Sequence, residues 1–375
     1  MLNGRKAAVF YAIIIALLLG LTEALSFIYG RFIAPDIFSA EEAYFASISE
    51  ARYERWLHSP WYDAELGWNT PTILTYENRR NCLKKSVQYT LLNQYRGIPL
   101  AGNPAVALFG DSYTFGDEVD DDATSAAALE RLIGVPVLNY GARGFGPEQA
   151  VLKFERLAAE RPMPGIAVLI IMHENIRRAV NSFRPAYYSA TDMRYGLKPF
   201  IVGDAFQPAP RPTSYSEFLR DARNSFANDF WARPQFTFPY SVSLLRAVTT
   251  NSFYVRKLRS QGRPGYANEY DTDNPLSAAL TTAIKRWRSS TGSQGIKSFV
   301  LFVPQSSNDA GVAAAYVDKL NKGAGEIFAF EFEDASIDWT RYNLKPSGGC
   351  HPSRYGQERI AAFIAGNILT SSMQH

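Results

Sequence analysis

Cysteine and histidine are scarce: two cysteines, Cys82 and Cys350, and four histidines, His58, His173, His351 and His375, in 375 residues. Two thiols do not make a four-ligand zinc site, and the histidines are scattered, so no metal centre is expected. Any imidazole base has to be one of four. An excess of one charge is missing too: 39 Lys plus Arg against 36 Asp plus Glu leave a formal charge of +3. That is too little for the electrostatic footprint of a nucleic-acid binder, and no nucleic acid partner is expected. Phosphate loops are absent, because GARGFG at 141–146 has the wrong order for G-x-G-x-x-G and no G-K-[ST] occurs. G-x-S-x-G does not occur either, which disfavours an α/β-hydrolase elbow. The acidic stretch Asp117, Glu118, Asp120, Asp121 and Asp122 lacks the spacing of a calcium loop and reads as a solvated cap before a helix. There is no internal repeat.

Apolar side chains are plentiful. With 46% apolar, 20% charged and 14% aromatic residues, the chain has material for a sizeable core and falls outside the disordered, collagenous and disulfide-stapled classes. At ~150 residues per domain the length allows about two and a half domains, or one large domain with additions.

From Ala7 to Gly30 the only charge is Glu23. As a helix rising ~1.5 Å per residue this stretch reaches about 36 Å, enough for a hydrocarbon core of ~30 Å. Arg5 and Lys6 precede it, so the positive-inside rule keeps the N-terminus in the cytoplasm and sends everything after Arg31 across. An uncleaved anchor is expected; the competing signal peptide lacks a clear A-x-A site.

Residues 31–101 read as a connecting region, with a helix from a Ser39/Glu42 capping box to about His58 and then the Pro, Gly and Asn-rich SPWYDAELGWNTP. From 102 to 375 apolar runs alternate with helical periodicity: AVALF from Ala105, VPVLNY from Val135, IAVLIIM from Ile166, KSFVLFV from Lys297 and EIFAFEF from Glu326. Helices are expected from about Asp122 to Leu132, Pro147 to Glu160, Pro275 to Ser290 behind Asn274, and Pro352 to Leu369. Five such alternations predict an α/β fold, a five-stranded parallel sheet covered on both faces. An aromatic-rich insertion at about 184–263 interrupts the rhythm, either packing its rings on the domain or covering the site.

Ligands of open parallel sheets bind beyond the carboxyl ends of the strands. There the sequence places Gly110-Asp111-Ser112 after the first strand, Asn139-Tyr140-Gly141-Ala142-Arg143-Gly144 after the second and His173-Glu174-Asn175 after the third. A serine opening a helix has backbone N–H groups beside it for a developing oxyanion, and the Gly141 N–H and Asn175 amide are further donors. The hydroxyl needs a base. His351, between the fifth strand and the last helix, is at the same end of the sheet. His58 and His375 read as surface residues and His173 as structural.

These residues resemble the SGNH hydrolase, or GDSL esterase and lipase, superfamily, in its membrane-anchored bacterial branch. GDS around Ser112, Gly141 in NYGARGFG, Asn175 and the His351-Pro352 pair correspond to its four blocks. The resemblance implies a three-layer α/β/α, flavodoxin-like sandwich with Ser112 as nucleophile, His351 as base and the Ser112 N–H, Gly141 N–H and Asn175 amide as oxyanion hole. It also implies a single-pass protein of the bacterial inner membrane with its domain on the periplasmic or extracytoplasmic side, acting on acyl or O-acetyl esters of carbohydrate or lipid without a cofactor. Two departures stand out. The family's aspartate three residues before the histidine is Gly348 here, so a backbone carbonyl or a remote acid such as Asp334 or Asp338 orients the imidazole, or the centre is a Ser-His dyad. The third block reads His-Glu-Asn-Ile where Gly-x-Asn-Asp is common. A Cys82 to Cys350 bridge would clamp the base loop; two thiols are the alternative. Three readings remain open: ester hydrolysis, acyl transfer to a sugar hydroxyl through the same acyl-enzyme, and an anchored binding or assembly protein that keeps the fold without turnover.

Overall fold

Short runs of Val, Ile, Leu and Phe that are apolar at every position are stable as strands only when both faces are covered. In the computed structural model, which describes residues 4–38, 41–78, 86–187, 196–249, 275–305, 307–324, 327–329, 337–344 and 350–369, the chain folds that way. The main sheet contains β1 (Ile73–Asn78), β2 (Val87–Leu92), β3 (Tyr95–Arg96), β4 (Val106–Gly110), β5 (Val137–Asn139), β6 (Ile166–Met172), β7 (Lys297–Val303) and β8 (Phe328–Ala329). Their order is β8-β7-β6-β4-β5-β3-β2-β1. From β8 to β5 every pairing is parallel; β3, β2 and β1 continue the sheet antiparallel.

Among the described residues the sheet is therefore eight-stranded and mixed: the five strands expected from the alternation form its parallel part, and three antiparallel strands extend it. The additional strands come from the stretch read as connecting. Val87, Tyr89 and Leu91 are buried while Gln88 is exposed and Thr90 and Leu92 are half-buried, the one-sided pattern of an antiparallel strand. Asn93 and Gln94, with φ of 47° and 69°, make the two-residue turn between β2 and β3, a geometry that follows the strand twist.

Successive side chains of the central strands point to opposite faces. Ala107, Phe109, Leu169, Ile171, Val300 and Phe302 pack with α4 (Pro147–Glu160), α8 (Pro275–Ser293) and α9 (Ser307–Ala324). Val106, Leu108, Val168, Ile170, Leu301 and Val303 pack with α3 (Ser125–Ile133) and α10 (Arg354–Phe363). Helix α9 is absent from the sequence reading. The expected helix ending near His58 is two, Glu41–Ala46 and Glu50–Leu57, because the Ser49 side chain accepts from Arg52 N and starts the second; Ser39 lies outside the described residues. Tyr53 and Trp56 of the second helix pack with Phe218 and Phe226 of α6 (Tyr215–Asn228) in a separate aromatic cluster. At the other extreme of the chain, α1 (Gly4–Ile28) runs on through Ile33 and contains an exposed 18-residue stretch with a mean hydropathy of 2.3. It is long and apolar enough to cross a membrane.

Candidate active site

β4 ends at Gly110 and α2 (Ser112–Phe115) begins immediately. The junction requires glycine: φ is +153°, and a Cβ there would lie 2.4 Å from the Ile170 carbonyl oxygen. Asp111 caps α2 with Oδ1 accepting from Tyr113 N at 2.9 Å, while its Oδ2 accepts from Arg178 Nη1 at 2.8 Å and Asn175 Nδ2 at 3.1 Å. This buried pair fixes the turn that presents Ser112 at the first helical position. Backbone N–H groups of a first helical turn have no intrahelical acceptor.

Ser112 and His351 line one cavity of about 410 Å³, together with Tyr113, Asp117, Gly144, Met172 and residues of α5 (His173–Arg178). The hydroxyl and the imidazole, 239 positions apart in sequence, thus reach the same rim. His351 Nδ1 is 3.0 Å from Glu118 Oε2, and the His351 N–H donates to the same oxygen at 3.4 Å. Burial pulls the imidazole pKa down, but the Glu118 hydrogen bond and the negative charges of Asp117, Glu118 and Asp111 outweigh it. The pKa is raised above the usual 6.5.

Glu118 is the acid that sequence reasoning missed. Asp334 and Gly348 lie outside the described residues, and Asp338 instead caps the short helix Trp339–Tyr342 through Thr340 N. The run 117–122 is a solvated cap only in its last part: Asp122 is exposed, but Asp117 is buried and Glu118 leaves 10% of its side chain exposed. A three-part clamp holds them. Tyr89 Oη donates to Asp117 Oδ1 at 2.7 Å and accepts from Glu118 N at 2.9 Å, and Arg143 Nε donates to Asp117 Oδ2 at 2.7 Å. Burial pushes the Asp117 carboxyl up, yet Arg143, His351 and the Tyr89 hydroxyl hold it below the ordinary aspartate range. Arg96 of β3 fastens the same loop through Asp121 Oδ1 at 2.9 Å and the carbonyl oxygens of Phe115, Gly116 and Val119.

Two expected donors are engaged elsewhere. The Gly141 N–H donates to Asn139 Oδ1 at 3.1 Å, and a Cβ on Gly141 would stand 2.3 Å from Phe115 N, so this glycine serves the packing of β5's exit against α2. Gly144, three residues on and at φ +73°, is the glycine that lines the cavity. Asn175 is buried; its Nδ2 donates to Asp111 Oδ2 and to the Phe145 carbonyl oxygen at 3.1 Å, and its Oδ1 accepts from Met172 N at 2.7 Å. It braces the serine turn from below. His173 lines the cavity, His58 is exposed beside Glu54, and His375 lies outside the described residues.

Cys350, next to His351, is disulfide-bonded; Cys82 lies outside the described residues. Of the aromatic-rich insertion, Arg184 reaches the cavity, while Phe218, Phe226 and Trp231 are buried in the packing.

No family model and no curated protein matches the chain. Among solved structures it is similar to a lipolytic G-D-S-L family member from Veillonella parvula, with 14% identity over 71% of this chain and 99% of that one and a TM-score of 0.33. It is likewise similar to AlinE4, an SGNH-hydrolase family esterase, with 13% identity over 72% of this chain and 98% of that one and a TM-score of 0.30. Both are proteins of the GDSL or SGNH families.

Proposed function

We propose that the chain is a membrane-anchored serine esterase that cleaves carboxylic esters through an acyl-enzyme. The observation that carries the reading is the shared cavity of Ser112 and His351, with the imidazole backed by Glu118. Ser112 Oγ attacks the acyl carbon while His351 Nε2 takes the hydroxyl proton; Glu118 fixes the ring and stabilises the imidazolium that forms. The carbonyl oxygen gathers negative charge, for which the Ser112 and Gly144 N–H groups are the proposed donors. His351 returns its proton to the leaving alcohol, then activates water to release the acid. Asn175 acts as a positioning residue through Asp111, and α1 tethers the domain to the bilayer, on the periplasmic side if Arg5 and Lys6 stay inside.

Labelling with a fluorophosphonate tests this. Wild type is expected to react and Ser112→Ala to stay unlabelled, with a loss of ester hydrolysis of roughly 10³-fold or more. Equal labelling of both, or of neither, overturns the reading. The engagement of the Gly141 and Asn175 donors favours a second reading, ester binding without turnover, and absent labelling with retained ligand binding would select it. Product analysis with an added glycan acceptor separates hydrolysis from acyl transfer, because water and sugar compete for one intermediate.

A further inference from the structure

Helix α7 (Tyr240–Thr249) turns its apolar side chains in two directions. Ala247, with Leu244 beside it, packs inward on Ile37 and Phe38. Leu245 and Val242 point outward, 65% and 40% exposed, and Phe238 just before the helix is 70% exposed. An apolar outer face on a soluble surface is unfavourable, and such patches mark interaction sites.

What covers it follows from how α7 is attached. Its first turn sits on the end of α1. Glu23 Oε2 accepts from Tyr240 N at 2.5 Å, Oε1 accepts from Ser241 N at 3.3 Å, and the Ser241 hydroxyl donates to the same carboxylate. Phe27 packs on Tyr240 and Phe236, with ring centroids 5.0 and 6.1 Å apart. From Ala7 to Thr22 the uncharged helix is 16 residues, about 24 Å at ~1.5 Å each, some 6 Å short of a ~30 Å hydrocarbon core. Glu23 therefore falls about 6 Å inside the outer hydrocarbon boundary, where a carboxylate needs donors. The α7 N-terminus supplies them and is held at that depth.

We infer that α7 with Phe238 is a second membrane contact, an in-plane helix whose Phe238, Val242 and Leu245 enter the acyl–headgroup boundary of the outer leaflet. The inference rests on α1 spanning the bilayer. Two contacts instead of one fix the tilt of the catalytic domain over the membrane, which a single helix with a loose exit does not.

The test uses the full chain in phosphatidylcholine vesicles, with nitroxide-labelled cysteine placed singly at Leu17→Cys, Leu245→Cys and Ile98→Cys. All three positions are exposed, at 67%, 65% and 74%, so labelling leaves the packing intact. Collision with oxygen relative to a water-soluble nickel chelate reports lipid or water. Leu245 is expected to give a ratio several-fold above that of Ile98 and below that of Leu17, as for a shallow lipid position. A Leu245 ratio equal to that of Ile98, with Leu17 still lipid-like, overturns the interfacial helix and leaves the anchor. A water-like ratio at Leu17 removes the anchor, and the inference with it.

Discussion

Glu118 reaches His351 because its backbone adopts φ +72°, a left-handed conformation uncommon for glutamate and costing of order 1–3 kcal/mol. The surroundings impose it: the Glu118 N–H is tied to Tyr89 Oη, and its neighbour Asp117 is tied to Tyr89 and Arg143. Strain maintained this way, beside a serine and a histidine, is what a positioned acid requires. Glu118→Gln keeps shape and removes charge. It is expected to lower kcat by about 10²- to 10⁴-fold, the scale of losing an orienting carboxylate. The pH profile carries a second signature. A base works unprotonated, so kcat/KM should rise with pH through a pKa above 6.5 in the wild type, and through a lower one in the variant, since the first charge-stabilising partner of His351 is gone. Stability runs the other way. A histidine with a raised folded pKa contributes stability that is fully present below its unfolded pKa and is lost as pH rises through the folded value. The charged His351–Glu118 pair should thus stabilise the fold most where catalysis is off, readable as a Tm difference between wild type and Glu118→Gln that shrinks with increasing pH.

At the scale of elements, the site is a set of strand exits, and their packing decides which residue of each exit faces the cavity. The exit of β5 illustrates this. Gly141 has no room for a side chain because the backbone of α2 runs against it, 2.3 Å from where a Cβ would stand. Gly141→Ala is expected to cost about 1–3 kcal/mol, as overpacking against rigid backbone does, seen as a lower urea midpoint with unchanged slope. Sequence could locate this exit and could not choose among the three glycines of GARGFG, since the choice depends on which one abuts α2 and which opens on the cavity. The same limit applies to Asn175. Its amide is a donor in any sequence reading, but in the fold both its bonds go to the Asp111 carboxylate and the Phe145 carbonyl. Ser112 was legible because it stands at an abrupt switch from apolar run to helix start, and His351 because it is one of four histidines and directly precedes the last helix. Glu118 was not: one acid in a run of five looks like any other until the left-handed turn selects it.

For the whole molecule, the consequence lies in where the functional unit begins. The sequence places a boundary near residue 102, where β-α alternation starts, but the clamp on the Asp117–Glu118 loop comes from before it. Tyr89 and Arg96 sit on β2 and β3, and Val87, Tyr89 and Leu91 bury Phe115 at the end of the serine helix. Removing residues before 102 would leave the β5 edge unpaired, expose Phe115, and strand Asp117 without Tyr89 and Asp121 without Arg96 and the Thr90 N–H. Open edges and lost buried partners each destabilise, and here they coincide at the Asp117–Glu118 loop. A chain starting at residue 35, which lacks α1 and retains the meander, is expected to fold and to take the fluorophosphonate at Ser112. One starting at 102 is expected to lose near-UV circular dichroism and labelling together. If the shorter chain labels at the rate of the longer one, the meander is an accessory to the sheet and the clamp on Glu118 is dispensable.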